Sequence, residues 1–314
     1  MHVAVDGGAT NLRMALVDGG EIVRRVEVQG FQWTAGGDPV EQQAERVVAA
    51  WQELGRPEPL DTVALGLAGV SDSETRGRLA PLLVERLHAR KVALTGDDVT
   101  NHLGVLGGEP GVVVAAGTGV ACLAVTADGT LLNIDGLGYL FGDLGGAFSI
   151  GQAGLRAALA AVEGRGPATA LVERAIEVAG SAEPLPRAMR RWYKSPTLIA
   201  DVAAFATQVS AAAETDAVAR RLCEDAGRDL ADSVRAAARG AFGDLGDRAA
   251  VPVSWSGSVF GSPAIRRAFV ARLEGASPSL DLREPRGDSM AGAVRLAVGE
   301  QIPHLAGVVV AERS

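Results

Sequence analysis

The chain has 314 residues, more than the roughly 100–200 of one typical domain, so two domains are the first expectation. Hydrophobic residues make up 47% and charged residues 22%, as in soluble globular proteins. The net charge of −8 and the absence of any Lys/Arg block argue against nucleic-acid binding, and no apolar run is long enough to span a membrane.

The sequence suggests neither a targeting signal nor a metal-binding pattern of cysteines and histidines. The first predicted strand begins almost at Met1, which leaves no room for a signal peptide. Cys122 and Cys223 are far apart and lack metal-ligand spacing, and the four histidines are scattered. We therefore expect two buried free thiols in a cytoplasmic protein and no zinc site.

The N-terminal third of the chain predicts alternating strands and helices. An apolar strand runs into Asp6, a glycine turn and a second strand follow, and Asp18-Gly19 predicts a hairpin to a third strand. The apolar spacing then predicts a helix, a strand, a helix and a strand over residues 39–53, 63–67, 76–90 and 92–94. This alternation is typical of a sheet with helices on its faces.

The opening pattern returns at an offset of 110 residues. A second apolar strand ends at Ala116, Gly117-Thr118-Gly119 forms its turn, and Asp128-Gly129 lies at the same offset from Asp18-Gly19. This internal repeat predicts two related units, and we place their boundary near Glu109-Pro110.

Residues 1–110 are accordingly expected to form one lobe and residues 111–314 a second lobe. The stretch 151–247 turns to Ala, Arg, Glu and Leu at helical spacing, which predicts a helical insertion in the second lobe. A strand and two helices are predicted after it over residues 251–256, 264–273 and 290–298. The predicted fold class is α/β, with sheets flanked by helices in two lobes and a cleft between them.

The two glycine turns are candidates for phosphate binding. Successive backbone N–H groups in such turns can cradle phosphate oxygens, and Thr10 and Thr118 add hydroxyls. Asp6 precedes the first turn, whereas Ala116 takes its place in the second, so Asp6 is the candidate for Mg²⁺, directly or through water. No P-loop motif occurs. The alternative is a turn without a ligand, since Asp and Gly are common in turns.

Acidic residues follow the last predicted strand of the first lobe. Asp97 and Asp98 stand at its carboxyl end, where open α/β sheets bind ligands, and a carboxylate there can accept the proton of a substrate hydroxyl. The alternative role is a helix N-cap, and Asp143, just before a helix predicted near Gly146, has the same two interpretations. Trp33 is either a core aromatic or a platform for a sugar ring.

Together these motifs resemble the N-acetylglucosamine kinase group of the BadF-type ATPase family, within the superfamily of actin, sugar kinases and chaperone ATPases. The two glycine turns resemble the phosphate motifs of that family, and Asp97 resembles its catalytic aspartate, with Asp98 as the alternative. The resemblance covers nearly the whole chain. It implies two actin-like, ribonuclease H-like lobes with mixed sheets, ATP and Mg²⁺ as cofactors, a sugar substrate and a homodimer.

The resemblance also implies which residues contact each ligand. Nucleotide contacts fall on the two phosphate turns and on an adenosine-binding turn, namely Gly7, Gly8, Ala9, Thr10, Asn11, Gly117, Thr118, Gly119, Gly257 and Ser258. Sugar contacts fall on a loop, on the catalytic aspartate and on a glycine-rich segment, namely Phe31, Gln32, Trp33, Asp97, Gly136, Leu137, Gly138, Asp143 and Ala147. Relatives carry sugar-binding asparagines in the 31–33 loop and at the position of Ala121, so we expect weaker selectivity for an N-acetyl group.

The sequence thus predicts an ATP-dependent kinase of an amino sugar, N-acetylglucosamine or glucosamine, acting on a hydroxyl that we place at C6. Two alternatives stay open. One is an ATPase switch that drives a partner protein, and the other is a sugar-sensing protein without catalysis.

Overall fold

The computed structural model describes residues 1–8, 10–30, 37–70, 72–180, 183–243 and 250–313. The strands in these ranges are β1 (His2–Gly7), β2 (Asn11–Asp18), β3 (Glu21–Gln29), β4 (Leu60–Leu67), β5 (Ala89–Gly96), β6 (Gly111–Ala116), β7 (Val120–Val125), β8 (Leu131–Asp135), β9 (Val251–Ser256), β10 (Leu280–Leu282) and β11 (Val309–Glu312). The α-helices are α1 (Pro39–Glu53), α2 (Ser73–Arg86), α3 (Asp97–Val105), α4 (Ala147–Val162), α5 (Leu171–Ala179), α6 (Leu185–Trp192), α7 (Leu198–Ala204), α8 (Ala206–Ala212), α9 (Ala217–Phe242), α10 (Pro263–Leu273) and α11 (Ser289–Ala297).

The strands form two mixed sheets with one shared topology. The first has the order β11-β5-β4-β1-β2-β3 and the second β10-β9-β6-β7-β8. In each, an antiparallel three-stranded meander lies beside two parallel strands, β4 and β5 in the first sheet and β9 and β10 in the second. β3 begins at Glu21 and β8 at Leu131, which keeps the predicted offset of 110 residues. The two sheets therefore repeat one another, as the internal repeat predicted.

Local chemistry explains where the helices begin. Four of them start after an aspartate whose side chain accepts a backbone N–H of the first turn, which satisfies a donor that the helix itself leaves unpaired. These caps are Asp38, Asp72, Asp216 and Asp288, in front of α1, α2, α9 and α11. α4 to α9 form the predicted helical layer and share one apolar core with the second sheet, against which α9 packs directly. In the described ranges no helix is both long and apolar enough to cross a membrane.

The C-terminal segment departs from the predicted division at residue 110. β11 pairs antiparallel with β5, with Val309 opposite Leu94, and α11 packs against α3 and β1. α11 and β11 thus pack with the first sheet, although the predicted boundary at residue 110 assigned them to the second lobe. The reason is that β5 leaves an open sheet edge, which the apolar side chains of Val309 and Ala311 complete.

α3 and α11 join the two sheets and cross at backbone contact. A Cβ on Gly104 would lie 1.8 Å from the carbonyl oxygen of Asp288, and one on Gly292 would lie 1.9 Å from that of Thr100. Neither carbonyl can move without breaking its helix. Glycine is therefore required on both sides of the crossing.

We expect Gly292→Ala to lower the free energy of unfolding by at least ~2 kcal/mol, because the added methyl group forces the two helices apart. Gly77→Ala in α2 is the matched control, since a Cβ there meets no atom within 4 Å and should instead stabilise the protein by ~0.5–1 kcal/mol. Urea unfolding of both variants checks this, and equal stability of the two would show that the crossing is not close-packed.

A buried histidine pair also holds α3 in place. His102 Nε2 lies 3.0 Å from the carbonyl oxygen of Gly111, where β6 begins, and must carry the proton because a carbonyl only accepts. His102 Nδ1 then accepts from Nε2 of His304 at 2.8 Å. Burial lowers the pKa of both rings, to about 3 for His102 and about 4 for His304, so both are neutral. The pair ties α3 to the start of the second sheet and to the C-terminal segment.

Candidate active site

Asp6 lies near the end of β1 and is buried in an ion pair. Arg13 stands directly opposite on β2, and its Nε donates to Asp6 Oδ2 at 2.9 Å. A second nitrogen of the same guanidinium donates to Asp288 Oδ2 at 3.0 Å. Burial raises the pKa of Asp6 even though Arg13 acts to lower it. Arg13 was not identified from the sequence, although the first glycine turn implies a hairpin of β1 and β2 that places it opposite Asp6.

The surroundings of Asp6 fit a magnesium ion carried by a nucleotide. Such an ion usually takes one or two protein carboxylates and completes its shell with water and phosphate oxygens. The two nitrogens of Arg13 that donate to Asp6 both reach Oδ2, so neither bond uses Oδ1, the oxygen that an ion or its waters would contact. Over the part of the chain that the structure describes, no group of three or more His, Cys, Asp or Glu side chains is placed to hold a metal by itself.

Asp97 and Asp98 occupy the first turn of α3, directly after β5. Their cap residue is Gly96, so neither is the N-cap that the alternative interpretation expected. Both carboxylate oxygens of Asp98 accept a hydrogen bond. Oδ1 accepts one from the Val99 N–H at 2.9 Å, and Oδ2 accepts one from Nδ2 of Asn133 at 2.5 Å. Asn133 belongs to β8, so this bond joins α3 to the second sheet. It was not anticipated from the sequence.

The carboxylate of Asp97 accepts fewer hydrogen bonds than that of Asp98. Its Oδ1 accepts the Asp98 N–H at 3.1 Å, and within the described ranges its side chain makes no other hydrogen bond. Burial raises its pKa to about 7, and the negative charges of Asp98 and Asp6 add to the effect. A carboxylate with a free oxygen and a pKa near neutrality is suited to taking a proton from a hydroxyl. The environment thus distinguishes two neighbouring aspartates that the sequence left as alternatives.

The second glycine turn is packed against Asp143. A Cβ on Gly119 would lie 2.2 Å from Asp143 Oδ2, so the turn and the aspartate are in direct contact. Asp143 has φ of 61°, its N–H donates to Asp135 Oδ1 at 3.3 Å, and burial raises the pKa of its own carboxyl. Its buried Oδ1 accepts no hydrogen bond of normal geometry from the residues that the structure describes, although the backbone N–H groups of Gly138, Val120 and Gly136 lie near the carboxyl and act to lower its pKa. A buried acceptor without a partner is costly, and a ligand hydroxyl would relieve that cost.

The predicted sugar-binding segment between Asp135 and α4 forms an exposed loop. Gly136 and Gly138 have φ of 76° and 84°, conformations that favour glycine, and the side chain of Leu137 between them is largely exposed. The loop returns to the second turn where the Ala147 N–H donates to the Gly117 carbonyl at 2.8 Å. Both of its ends are therefore anchored, one at Asp135 and one at the second glycine turn.

A cavity of about 650 Å³ opens beside this turn, a volume typical of ligand pockets. It brings together three residues predicted from the sequence, Thr118, Ala147 and Ser258. Gly257, just before Ser258, has φ of 97°, and a Cβ on it would lie 2.2 Å from the Ala116 carbonyl, so the two turns abut. Much of the remaining wall comes from α7 and α8. Their part in the cavity was missed because small Ala-rich helices carry no ligand signature.

The other predicted residues are placed as follows. Gly7 ends β1, the Gly8 N–H donates to the Asn11 carbonyl at 2.9 Å and closes the first turn, and Thr10 is exposed. The remaining predicted contacts lie outside the described residues, namely Ala9, Phe31, Gln32 and Trp33. Both free cysteines are buried, as predicted.

Comparison with known proteins places this site in a family context. The sequence profile of the BadF/BadG/BcrA/BcrD ATPase family matches residues 3–297. The N-acetylmuramic acid/N-acetylglucosamine kinase of Clostridium acetobutylicum is 25% identical over 196 residues, which are 61% of this chain and 63% of that enzyme. The match thus spans less than two thirds of that relative.

Solved structures show the same fold. A candidate N-acetylglucosamine kinase from Chromobacterium violaceum has a TM-score of 0.70 at 27% identity, over 94% of this chain and 98% of the other. A ROK-family glucokinase from Streptomyces griseus, solved with glucose and AMPPNP, has a TM-score of 0.57 at 16% identity, over 95% of this chain and 98% of the other. The predicted α/β fold with two mixed sheets is confirmed.

Proposed function

The chain belongs to the BadF/BadG/BcrA/BcrD ATPase family, and we propose that it is an ATP-dependent sugar kinase. The observation that carries the proposal is the contrast between Asp97 and Asp98. One carboxylate in the first turn of α3 is held by Asn133 and Val99, and the other keeps a free oxygen and a pKa of about 7. A kinase needs one such group beside its phosphate site to accept the hydroxyl proton.

In this proposal each group of residues has one role in the phosphoryl transfer. Asp97 orients the sugar hydroxyl and takes its proton as the oxygen attacks the γ-phosphorus, whose bond to the β,γ-bridging oxygen breaks and releases ADP. The backbone N–H groups of the two glycine turns, with Thr10 and Thr118, bind the phosphates, and Ser258 contacts the nucleoside. Magnesium, when bound with the nucleotide near Asp6, would neutralise the charge on the phosphates.

For the acceptor we propose an amino sugar, N-acetylglucosamine or glucosamine, phosphorylated at C6. The relatives from Clostridium acetobutylicum and Chromobacterium violaceum are described as kinases of amino sugars, which supports the class. The unpartnered Oδ1 of Asp143 suits a sugar hydroxyl, and the exposed loop at 136–138 leaves room beside it. A homodimer in the cytoplasm remains a prediction.

A coupled assay of ADP release tests the proposal across glucosamine, N-acetylglucosamine, N-acetylmuramate, glucose and mannose derivatives. A kinase releases ADP only when an acceptor sugar is present. An ATPase switch would release ADP equally without sugar, and a sugar sensor would bind sugar without any turnover. Either of those results would refute the proposed activity.

The pKa of Asp97 predicts the pH dependence of the reaction. The base works deprotonated, and a carboxyl with a raised pKa of about 7 is protonated below that pH. We therefore expect kcat/KM for the sugar to rise about tenfold per pH unit below roughly pH 7 and to level off above it. Rates measured from pH 5.5 to 8.5 check this, and a flat profile down to pH 5.5 would rule out a base with this pKa.

Selectivity at the 2-position of the sugar is expected to be weak. Ala121 stands where relatives carry an amide, and a pocket without a hydrogen-bonding group discriminates poorly. Glucosamine and N-acetylglucosamine should thus have comparable kcat/KM values when measured in parallel. A preference for the N-acetyl sugar above ~10³ would contradict this and give the recognition role to another group, for which Gln32 is the candidate.

A further inference from the structure

A second cavity, of about 630 Å³, lies in the helical layer between the C-terminal end of α4 and α6. Its volume is close to that of the cavity beside the second glycine turn, and none of the described residues that line it lines that cavity. α4 reaches both, because Ala147 at its start lines the first cavity and Leu159 near its end lines the second. A helix rises about 1.5 Å per residue, so Ala147 and Leu159 lie ~18 Å apart. The second cavity is therefore separate from the proposed site of phosphoryl transfer.

Three cationic side chains, Arg190, Arg191 and Lys194, line this second cavity. Residues 184–195 contain four basic residues and no acidic one, although the whole chain has a net charge of −8. Among the described residues Arg190 and Lys194 form no ion pair, while Arg191 Nη1 lies 3.5 Å from Glu183 Oε2. The end of a helix carries only about half a negative charge, which balances a fraction of three full positive charges. An anion bound in the cavity would offset their mutual repulsion.

The rest of the cavity wall combines apolar surface with one carboxylate. Its apolar part consists of four residues, Leu159, Pro186, Met189 and Tyr193. The carboxylate is that of Glu163, and Arg165 Nε donates to its Oε2 at 2.7 Å. A second nitrogen of Arg165 donates to the same oxygen, so neither bond uses Oε1. An inorganic anion would leave the apolar wall uncovered, and an uncharged ligand would leave the cations unpaired. The wall thus suits a phosphate ester whose ring carries amino or hydroxyl groups.

We infer that the second cavity binds an amino-sugar phosphate, the product of the proposed reaction, at a place distinct from where it is formed. Arg190, Arg191 and Lys194 bind the phosphate, for which guanidinium groups offer paired N–H donors. The sugar ring lies on the apolar wall, and Glu163 accepts a hydrogen bond from its amino or hydroxyl group. The identity of the ligand rests on the proposed kinase function, whereas the affinity of the cavity for an organic phosphate does not.

The test compares Arg190→Glu with Arg187→Glu. Arg187 is a matched control, because it is also an exposed arginine of α6 and the change of net charge is the same, but it does not line the cavity. Titration calorimetry with glucosamine 6-phosphate, AMP and inorganic phosphate gives the dissociation constants and the number of equivalents bound. Steady-state kinetics, the melting temperature and the sedimentation coefficient are measured for each variant.

We expect one equivalent of glucosamine 6-phosphate to bind at least ~10-fold more weakly in Arg190→Glu, as for loss of a hydrogen bond between charged groups, and to bind normally in Arg187→Glu. Both variants should keep the kcat, melting temperature and sedimentation coefficient of the wild type. In the wild type, glucosamine 6-phosphate should bind more tightly than AMP or inorganic phosphate.

Unchanged binding in Arg190→Glu, or an equal loss in Arg187→Glu, would overturn the inference. So would a changed sedimentation coefficient in Arg190→Glu alone, which would make this surface a subunit contact. Equal or tighter binding of AMP or inorganic phosphate would overturn the assignment of an amino-sugar phosphate. A wild-type protein that forms no sugar phosphate would refute the proposed kinase function, while the two variants would still decide whether the cavity binds the ester.

Discussion

Asp97→Asn is expected to lower kcat at least ~10²-fold while nucleotide affinity stays nearly unchanged. Asparagine keeps the shape of the side chain and can still accept the Asp98 N–H, but it cannot take a proton. The folded protein should not suffer, because the substitution removes a buried charge that lies close to the charges of Asp98 and Asp6. Steady-state kinetics, together with the melting temperature, separate loss of the base from loss of structure.

Asp98→Asn is the control that the structure provides for this experiment. Asp98 holds the first turn of α3 and the amide of Asn133, so its loss should disturb positioning and cost less than about tenfold in kcat. If Asp98→Asn shows the large loss and Asp97→Asn does not, the roles of the two residues are reversed. If neither variant loses activity, the kinase proposal fails.

Gly119→Ala is expected to weaken sugar binding at least ~10-fold, the lower end for loss of a hydrogen bond to a charged group. The new Cβ would lie 2.2 Å from Asp143 Oδ2 and 3.0 Å from its Cγ, so the carboxylate, which we propose to hold the sugar, must leave its position. Sugar affinity is best measured without nucleotide, by titration calorimetry, because the same turn is proposed to bind phosphate.

Gly117→Ala is the matched control for this second experiment. Gly117 lies two residues earlier in the same turn, and a Cβ there meets no atom within 4 Å. Sugar affinity should therefore be that of the wild type. Equal affinity in Gly119→Ala and Gly117→Ala would show that Asp143 does not hold the sugar.

The strands and helices that the sequence predicted well share a strong local signal. β1, β6 and β9 are apolar runs bounded by glycine turns, and α1 has both an apolar face and an aspartate cap. β10 and β11 were missed because three or four residues carry no readable periodicity. They become strands only because β9 and β5 offer them an open edge, which is a property of the folded sheet.

In the candidate site, too, only the residues with a local sequence signal could be predicted. Asp6, Asp97 and the two glycine turns were identified because they follow strands at places where ligands bind. The choice between Asp97 and Asp98 depends on Asn133, which comes from the edge strand of the other sheet. No local pattern connects these positions. The partners that set the charge state of a carboxylate come from the tertiary structure, and so does the wall of a cavity.

The proposed kinase activity is tested most directly by following the phosphorus of ATP by ³¹P NMR in the presence of Mg²⁺ and N-acetylglucosamine or glucosamine. A sugar kinase converts the γ-phosphate signal into that of a sugar phosphate ester, which we expect to couple to the protons at C6, and it leaves ATP intact when the sugar is omitted. Inorganic phosphate formed at the same rate with and without sugar, and no ester signal, would contradict the assignment.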